Sequence, residues 1–420
     1  MAAHPSSSTT TYLDQPPSCL QFCPASPNNF VVGTYLLTET KSTEPDGLET
    51  IQQSKTGSLQ LWHLDPETDT LAQKFHRPIT AAVFDLHFHP RNPALLAIAT
   101  SASSISLFTI SPETGFTHLC TKTVHEDPSI PALFLAWLPE TWLRGPGPAA
   151  RDGFAVTFSD GRTSVFGLND LSGNGDDQEQ VTELGSFEAK QPIEVWFVAA
   201  ASYLSCGAAG TEEEAYTPYL FTGNDFGSLH VRRFADTAVK AQGNGDEDGS
   251  PLAPLLVNAD DRARHHTAGV TSILPLPIPL SHPVCNGEPL LLTGSYDECL
   301  RVYHATRGGR VIAESGLGGG VWRLQLLNAA EKGDGEVWTF LVLVSCMHGG
   351  TRVVRVTVWG EGEAGIEILV EFTEHESMNY ASDVWREGAG DGELGGEGSE
   401  LRVVSSSFYD RRVCVWRAVV

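Results

Sequence analysis

Two short segments of the chain carry the side chains best suited to chemistry. In one segment His348 stands two residues after Cys346, and in the other Arg323 follows closely on Gly319 and Gly320. A neutral imidazole near pH 7 is a good acceptor for a proton from water. A guanidinium, or the backbone amides of two glycines, can stabilise the oxyanion that forms when water attacks a carbonyl carbon. These residue types therefore suit direct hydrolysis, with His348 as the general base and Arg323 or the glycine amides as oxyanion donors.

Two aspartates, Asp383 and Asp410, are the candidates to orient the imidazole of His348. A covalent route through Cys346 is the rival mechanism, because a thiolate beside a base is a nucleophile. Cys346 also fits a buried strand position, and we give this structural interpretation the greater weight.

Other catalytic and metal-binding signatures are absent from the sequence. It contains no Gly-x-Ser-x-Gly elbow and no His-Glu-x-x-His motif, which are typical of lipase-like hydrolases and zinc proteases. The eight cysteines are scattered, without a Cys-x-x-Cys pair or a His/Cys cluster. We therefore predict no metal site and no cofactor, and we interpret the cysteines as reduced thiols of a cytoplasmic protein.

One strand–turn–strand unit recurs along the chain. It is clearest at residues 293–303 and is repeated at residues 404–416, with weaker copies at residues 220–231 and 155–166. Each copy joins two apolar strands through a tight turn that carries an aspartate. Recurrence of such a unit every 40–45 residues or more is typical of WD-repeat β-propellers. Three of these turn aspartates, Asp160, Asp225 and Asp297, are interpreted as parts of the scaffold.

We predict an all-β fold, a seven-bladed WD-repeat β-propeller formed by residues 11–420 as one domain, after a disordered tail at residues 1–10. The seven units lie at residues 18–64, 82–110, 130–168, 193–234, 266–305, 319–357 and 379–418. The last unit lacks an outer strand, which residues 11–14 can supply by pairing the two ends of the chain and closing the ring. Three insertions rich in Gly, Asp and Glu are expected to be mobile: 171–180, 237–252 and 388–400.

Topology predicts where the reactive side chains meet. In a propeller, the turns between second and third strands and the crossovers into each first strand share one face. We therefore expect a group of conspicuous side chains from the last three units to converge at one mouth of the central channel: Tyr296, Trp322, Arg323, His348, Asp383, Tyr409 and Asp410.

At these positions the chain resembles the WD-repeat family of diphthine methyl ester hydrolases. The resemblance covers units four to seven, and its most specific parts are Gly-Gly-Val-Trp-Arg at residues 319–323, Cys-Met-His at 346–348 and Ser-Phe-Tyr-Asp at 407–410. Weaker matches are Ile-Glu-Val-Trp at residues 193–196, Gly-Ser-Tyr-Asp-Glu at 294–298, and Tyr380 with Asp383 and Trp385. The N-terminal half matches only as generic blades.

The resemblance implies a substrate and a reaction. The family removes a methyl ester from methylated diphthine, a cationic modified histidine carried on translation elongation factor 2, during diphthamide synthesis. Such a substrate would place its quaternary ammonium in a cage of Tyr296, Trp322, Trp385 and Tyr409. We also assign Glu194, Gly319 and Gly320 to the substrate site.

The charge of the chain limits its partners. It carries 52 acidic and 27 basic residues, for a net charge of −25, which argues against nucleic acid or an anionic membrane and favours a basic or cationic partner. We expect a monomer. The alternative function is a non-catalytic scaffold that recruits protein partners, as most WD-repeat domains do.

Overall fold

Seven antiparallel sheets stand around a central channel, and the first strand or inner edge of each sheet contacts its neighbours in turn. The computed structural model describes residues 2–43, 49–144, 152–169, 180–205, 215–238, 250–333, 335–387 and 398–420. The prediction of an all-β, seven-bladed WD-repeat β-propeller is confirmed.

The strands are numbered in chain order. Strand β1 (Ser7–Tyr12) comes first and belongs to the last blade. Blades 1 to 3 follow: β2 (Pro17–Cys23), β3 (Ser26–Thr34), β4 (Leu36–Thr43), β5 (Glu49–Leu64) and β6 (Leu71–Ile79); β7 (Val83–Phe88), β8 (Leu95–Thr100), β9 (Ser104–Ser111) and β10 (Gly115–Thr123); β11 (Ala132–Trp137), β12 (Asp152–Phe158), β13 (Arg162–Leu168) and β14 (Val181–Glu188).

Blades 4 to 7 complete the ring. Their strands are β15 (Val195–Leu204), β16 (Ala215–Asn224), β17 (Leu229–Phe234), β18 (Thr237–Ala238) and β19 (Leu255–Asp260); β20 (Val270–Pro275), β21 (Leu290–Ser295), β22 (Cys299–His304) and β23 (Arg310–Gly316); β24 (Arg323–Lys332), β25 (Val337–Ser345), β26 (Thr351–Trp359) and β27 (Ala364–Phe372); β28 (Ala381–Val384), β29 (Glu400–Ser407) and β30 (Arg412–Val419).

The ring closes where β1 pairs antiparallel with β30, as the sequence predicted. The closing strand lies earlier than expected, because Ser7–Tyr12 forms it rather than residues 11–14. The prediction of a disordered tail at residues 1–10 is therefore wrong for most of that segment. An outer strand needs only one half-covered face, and Ser and Thr side chains that alternate between half-buried and exposed positions meet this need without any apolar residue.

The three predicted insertions lie mainly outside the described residues. The described parts are not loose, since Gln180 is buried just before β14 and residues 237–238 form β18 against β16. Both stretches are held because the backbone groups that they present find partners in the neighbouring strands.

Blade 1 carries a feature that the sequence analysis missed. The first half of β5 pairs only with β4, whereas its second half pairs with β3 and β6 in the blade. Strand β4 and the first half of β5 therefore form a hairpin, a two-stranded extension of the blade. The eight residues of β4 correspond to an extension of about 27 Å at the usual rise per strand residue. The hairpin begins at Leu36, directly after Tyr35, on the face that carries the turns between second and third strands.

That face also receives the crossovers into each first strand, and we call it the crossover face. Five first strands share one irregularity there. The pairing with the second strand shifts register at the second residue of β2, β7, β11, β15 and β20, which leaves a bulged residue in each: Ser18, Phe84, Leu133, Trp196 and Thr271. A bulge re-aims the side chain at the point where pairing is interrupted. The bulges turn Ser18, Phe84, Leu133 and Trp196 towards the channel mouth. Thr271 is buried instead.

Two buried histidines each bond a hydroxyl group of their own blade through Nε2. In blade 5 the Nε2 atom of His266 lies 2.9 Å from Thr293 Oγ1, and in blade 7 the Nε2 atom of His375 lies 2.8 Å from Ser405 Oγ. These contacts fix crossovers to sheets, because a buried polar group without a partner is costly. Among the described residues no helix has the length and apolar character needed to cross a membrane.

Candidate functional site

A cavity of about 630 Å³ opens at the centre of the crossover face. All seven blades contribute to its wall, so it must lie on the ring axis at the mouth of the channel. Eight of its fifteen lining residues are aromatic. We call it the aromatic pocket, and its lining residues are Pro16, Ser18, Tyr35, Leu36, Leu37, Phe84, Leu133, Trp196, Tyr296, Trp322, Arg323, Tyr380, Phe408, Tyr409 and Arg411.

The aromatic rings form a continuous belt around the pocket. Trp322 is central, with its ring centroid 5.7 Å from Trp196, 5.9 Å from Tyr296 and 4.9 Å from Tyr380. The belt continues from Tyr380 to Phe408 at 5.4 Å. Such ring-to-ring contacts hold each face at a fixed angle. The belt offers several π-faces to one small volume, which is the arrangement that binds a quaternary ammonium group.

A carboxylate behind the belt fixes one of its members. The indole Nε1–H of Trp196 donates to Asp225 Oδ1 at 2.7 Å, and the backbone N–H of Asp225 donates to the carbonyl of Glu194 at 2.8 Å. Burial and the nearby Asp225 raise the pKa of Tyr296. The Tyr296 hydroxyl is therefore neutral at physiological pH. It can take part in hydrogen bonds, but it does not act as a phenolate base.

Arg323 places a cation at the base of the pocket. Its guanidinium carbon lies 4.7 Å from the ring centroid of Trp322 and 4.8 Å from that of Phe134. Nη1 donates to the carbonyls of Trp322 and Thr271, at 3.0 and 3.3 Å. Burial lowers the pKa of Arg323, although a guanidinium stays charged in proteins. Since no other hydrogen bond of this side chain occurs among the described residues, Nε and Nη2 are available to a ligand.

The aromatic pocket itself offers no obvious base. Among its described lining residues there is no histidine, carboxylate or thiol. Directly beside the Arg323 guanidinium, however, the channel wall holds a dyad on β7: His87 Nε2 lies 2.9 Å from Asp85 Oδ2. The His87 ring contacts the same Phe134 ring as Arg323, with centroids 5.1 Å apart.

This dyad has the arrangement of an oriented general base. In the tautomer that carries its hydrogen on Nε2, His87 donates to Asp85 and Nδ1 keeps its lone pair. No hydrogen bond to Nδ1 occurs among the described residues, and the His87 side chain is 33% exposed. The ring is therefore accessible to water.

The structure brings together four of the predicted site residues. Tyr296, Trp322, Arg323 and Tyr409 all line the aromatic pocket. His348 does not line it. Its imidazole lies on the crossover face but farther out, where Nε2 is 3.4 Å from Glu298 Oε1 and the side chain is 55% exposed. The predicted convergence of His348 with Arg323 at the channel mouth is therefore wrong, because the turn after β25 aims His348 at the neighbouring turn of blade 5.

The two predicted orienting aspartates serve the scaffold. Asp383 is buried in the channel wall, where it accepts hydrogen bonds from the Phe22 amide at 2.7 Å and from Gln325 at 2.6 Å; burial raises its pKa. Asp410 accepts from Ser377 Oγ at 2.9 Å. Burial alone would raise the Asp410 pKa, but hydrogen bonds from hydroxyl groups outweigh it and hold the pKa low. Neither carboxylate contacts His348, so the predicted pairing is wrong.

The remaining assigned residues lie outside the pocket. Trp385 follows the end of β28 and so stands at the opposite face, where its Nε1 donates to Asn28 Oδ1 at 2.8 Å. Gly319 and Gly320 pack against the turn after β25; a Cβ on Gly319 would lie 2.5 Å from Gly349 N. Close backbone packing, rather than oxyanion binding, thus requires glycine at Gly319. The Glu194 side chain does not line the pocket.

Cys346, the rival nucleophile, is fully buried, and desolvation raises its thiol pKa to about 12. This matches the structural interpretation given from the sequence. Among the described residues no group of three or more His, Cys, Asp or Glu side chains is placed to hold a metal ion.

Sequence reasoning missed five of the eight aromatic residues that line the pocket, and it missed the whole dyad. Trp196, Tyr380 and Phe408 lie inside segments that were singled out, yet they were not assigned to the site. Tyr35 and Phe84 lie in blades without a distinctive motif. The usable signal was positional, because bulged second residues of first strands face the mouth, and Phe84 and Trp196 are both of this kind.

No protein-family model matches this chain. Among curated proteins it is similar to several that are named diphthine methyltransferase or diphthine methyltransferase homolog. It is 32% identical to the Schizosaccharomyces pombe protein over 132 residues, covering 31% of this chain and 34% of that one. It is 23% identical to the Dictyostelium discoideum homolog over 97% of this chain and 98% of that one. The Homo sapiens protein is 27% identical over 29% of this chain and 23% of its own length.

Solved structures share the fold. Sqt1 from Chaetomium thermophilum, bound to the N-terminus of the ribosomal protein L10, superimposes with a TM-score of 0.53 and 15% identity, covering 98% of this chain and 100% of that one. A second Sqt1 structure from the same organism gives a TM-score of 0.52 over 96% and 97% of the two chains. At this identity the likeness concerns the propeller architecture alone.

Proposed function

We propose that this protein acts in diphthamide synthesis as a carboxylic ester hydrolase, which removes the methyl ester of methylated diphthine on translation elongation factor 2 and releases methanol. Two findings support a role in this pathway. The relatives are named for diphthine, and one of them aligns along nearly the whole chain. The names of these relatives describe methyl transfer, and the hydrolytic reaction is our proposal.

The observation that carries the proposal is an aromatic belt and a guanidinium facing one cavity on the ring axis. Methylated diphthine combines a trimethylammonium group with an ester. The ammonium group fits the π-faces of Trp196, Tyr296 and Trp322, where a desolvated cation gains about 2 kcal/mol. The free N–H groups of Arg323 suit the ester carbonyl oxygen, which becomes negatively charged in the transition state.

The dyad of Asp85 and His87 supplies the base in this proposal, in place of His348. A channel water transfers a proton to His87 Nδ1 while its oxygen attacks the ester carbonyl carbon. The resulting oxyanion is stabilised by Arg323. The C–OCH3 bond then breaks, and the leaving methoxide takes the proton from His87. The products are methanol and a carboxylic acid, which loses its proton to solvent to give the carboxylate. Asp85 stabilises the transient imidazolium.

The decisive experiment measures methanol release when the purified full-length chain is incubated with elongation factor 2 carrying methylated diphthine. Stoichiometric methanol together with loss of the methyl ester mass supports the proposal. A parallel reaction with labelled S-adenosylmethionine tests methyl transfer to the factor. Transfer of the label to the factor without methanol release would contradict the hydrolase proposal and identify the protein as a methyltransferase.

A non-catalytic scaffold is the second candidate. The favouring observation is that the described lining of the aromatic pocket has no titratable base of its own, so that binding without chemistry is a complete account of the pocket. Tight binding of the methylated factor, with neither methanol release nor label transfer, would establish this alternative.

The partner, the location and the oligomeric state are part of the same proposal. The acidic chain, at −25, would steer towards basic surface of the elongation factor. The hairpin of β4 and β5 stands beside the pocket and would contact the protein that carries the modified side chain. We place the reaction in the cytoplasm and expect a monomer that needs no cofactor.

A further inference from the structure

A second cavity of about 480 Å³ lies at the outer rim of the ring, where the end of β14 in blade 3, the outer strands of blade 4 and the β22–β23 turn of blade 5 meet. We call it the basic groove, and it shares no residue with the aromatic pocket. Five cationic side chains line it: Lys190, Arg232, Arg262, Arg264 and Arg307. Its carboxylates are Glu188 and Asp260. A local excess of positive charge is unexpected in a chain whose net charge is −25.

The floor of the groove holds a buried cation that is incompletely paired. Arg232 is 2% exposed. Its Nη1 donates to Thr222 Oγ1 at 3.0 Å, while its buried Nε has no hydrogen-bond partner among the described residues. Burial lowers the pKa of Arg232 to about 10, so the guanidinium is charged at neutral pH. A buried charge needs a counter-group, and the cavity gives room for one.

His230 lies beside Arg232 on the same strand and also lines the groove. Burial and the adjacent Arg232 lower its pKa to about 4. The imidazole is therefore neutral at pH 7, and its buried Nδ1 has no partner among the described residues. It supplies a neutral hydrogen-bonding group at the floor without adding to the charge.

The loop that carries Arg262 and Arg264 is held rigidly. Asp260 Oδ1 accepts from the Arg262 amide at 2.7 Å, and Asp261 Oδ1 accepts from the amides of Leu229 and Ala263 at 2.9 and 3.1 Å. Asp261 Oδ2 accepts from the Tyr303 hydroxyl at 3.1 Å. The two carboxylates thus fix the backbone. A preformed loop lowers the entropic cost of binding.

The mouth of the groove carries free guanidinium groups. Arg262, Arg264 and Arg307 are exposed, and among the described residues none of them has a carboxylate within 4.0 Å. The Asp260 carboxylate is instead engaged by Lys190, with Nζ 3.4 Å from Oδ2. Guanidinium groups bind phosphate oxygens in a bidentate fashion.

We propose that the basic groove binds a compact phosphate-bearing anion, with Arg232 at its base and Arg264 and Arg307 closing over it. A polynucleotide fits less well. It would need an extended cationic track with aromatic platforms for its bases, and the lining has no Phe, Tyr or Trp. The phosphate group can belong to a free ligand or to a phosphorylated side chain of a partner protein.

The test is calorimetric titration of the full-length chain with pyrophosphate at low ionic strength, in a buffer without phosphate. The double variant Arg264→Ser with Arg307→Ser should weaken binding by about 10-fold or more. Arg310→Ser is the matched control, because this arginine is exposed close in sequence but does not line the groove. Its affinity should be unchanged.

Further titrations identify the source of the phosphate. A phosphoserine peptide that binds more tightly than pyrophosphate, and loses affinity in the double variant, assigns the groove to a phosphorylated partner. Preference for pyrophosphate assigns it to a free ligand. Absence of binding to both probes overturns the proposal, as does equal weakening in the Arg310→Ser control. Tighter binding of single-stranded RNA would also overturn it. The melting temperature of each variant verifies folding.

Discussion

Trp196 and Asp225 are joined by a hydrogen bond of 2.7 Å between the indole Nε1 and Oδ1. Asp225 occupies the turn position where WD-repeat blades place a scaffold aspartate, and here that carboxylate locks a wall of the central pocket. Asp225 therefore serves both the scaffold of blade 4 and the wall of the pocket. A defect in the turn is transmitted to the pocket without any change in its lining residues.

The first prediction concerns affinity for quaternary ammonium ligands. Trp196→Ala should weaken binding of glycine betaine methyl ester by about 10-fold, because one π-face is lost. Asp225→Ala should weaken it less, since the indole remains but is no longer oriented. Affinity can be measured by calorimetry. Trp359→Ala is the control, because Trp359 is an exposed tryptophan outside the pocket, and an equal loss there would contradict a specific aromatic site.

The second prediction separates two candidate bases. His87→Ala should reduce methanol release from the methylated elongation factor by about 100-fold or more, with binding retained. Asp85→Asn should also reduce the rate, because the amide no longer fixes the tautomer of His87. His348→Ala should leave the rate unchanged, since its imidazole lies beside Glu298, outside the pocket. Single-turnover rates and separate binding measurements provide the comparison. Full activity of His87→Ala would remove the dyad from the mechanism.

The third prediction concerns stability in mild acid. Burial lowers the pKa of His266 to about 3 and that of His375 to about 4, below the ordinary value near 6.5. The unfolded chain therefore binds more protons in this window, and the stabilising effect is present above pH 6.5 and is lost as pH falls towards 4. Each histidine should contribute a slope of about 1.4 kcal/mol per pH unit.

Urea unfolding between pH 7 and pH 4.5 measures this dependence. The variant His375→Gln keeps a donor for Ser405 and removes one titrating group, so its unfolding free energy should vary less with pH. Its m-value reports whether the folded state is retained. An unchanged pH dependence in this variant would show that His375 titrates equally in both states.

The fourth prediction concerns ring closure. Deletion of residues 2–12 removes β1 and leaves β30 as an open edge. The melting temperature should fall, and Cys414, which is buried and lies 3.7 Å from Thr10 Oγ1, should react faster with a thiol reagent. Deletion of residues 2–6 removes the bridge of Ala3 to Val370 and the contact of His4 with Glu371, but it leaves β1 in place. Labelling of Cys414 should stay slow in that control, and fast labelling there would show that β1 alone does not protect the edge.

Much of the architecture could be predicted from the sequence because each blade repeats the same apolar strands and turn signals. The turn aspartate of residues 293–303 and the closing role of the N-terminus were both readable in this way. Register was less readable. The start of β1 at Ser7 could not be fixed, because Ser and Thr side chains alone do not distinguish one outer-strand register from another.

The site was predicted only in part. Topology predicts which face of the ring a residue lies on, but it does not predict the distance of that residue from the ring axis. His348 and Arg323 both belong to the crossover side of blade 6, yet one lies towards the rim and the other reaches the axis. Asp383 and Asp410 were misassigned because the sequence does not show hydrogen-bond partners. A carboxylate that accepts scaffold hydrogen bonds therefore cannot be told from a catalytic one. The dyad of Asp85 and His87 escaped notice because an i, i+2 pair shares a face only where the strand persists, and nothing in the sequence distinguished that face as the channel side.

The aromatic pocket draws its wall from every blade, and this has a thermodynamic consequence. A ligand seated there touches both ends of the polypeptide at once, through Pro16 near the beginning and Tyr409 and Arg411 near the end. Such a ligand holds the two ends of the ring together. At a free ligand concentration 100 times its dissociation constant, binding would raise the free energy of unfolding by about 2.7 kcal/mol. Ligand binding at the channel mouth and closure of the ring are therefore coupled, and a measurement of one reports on the other.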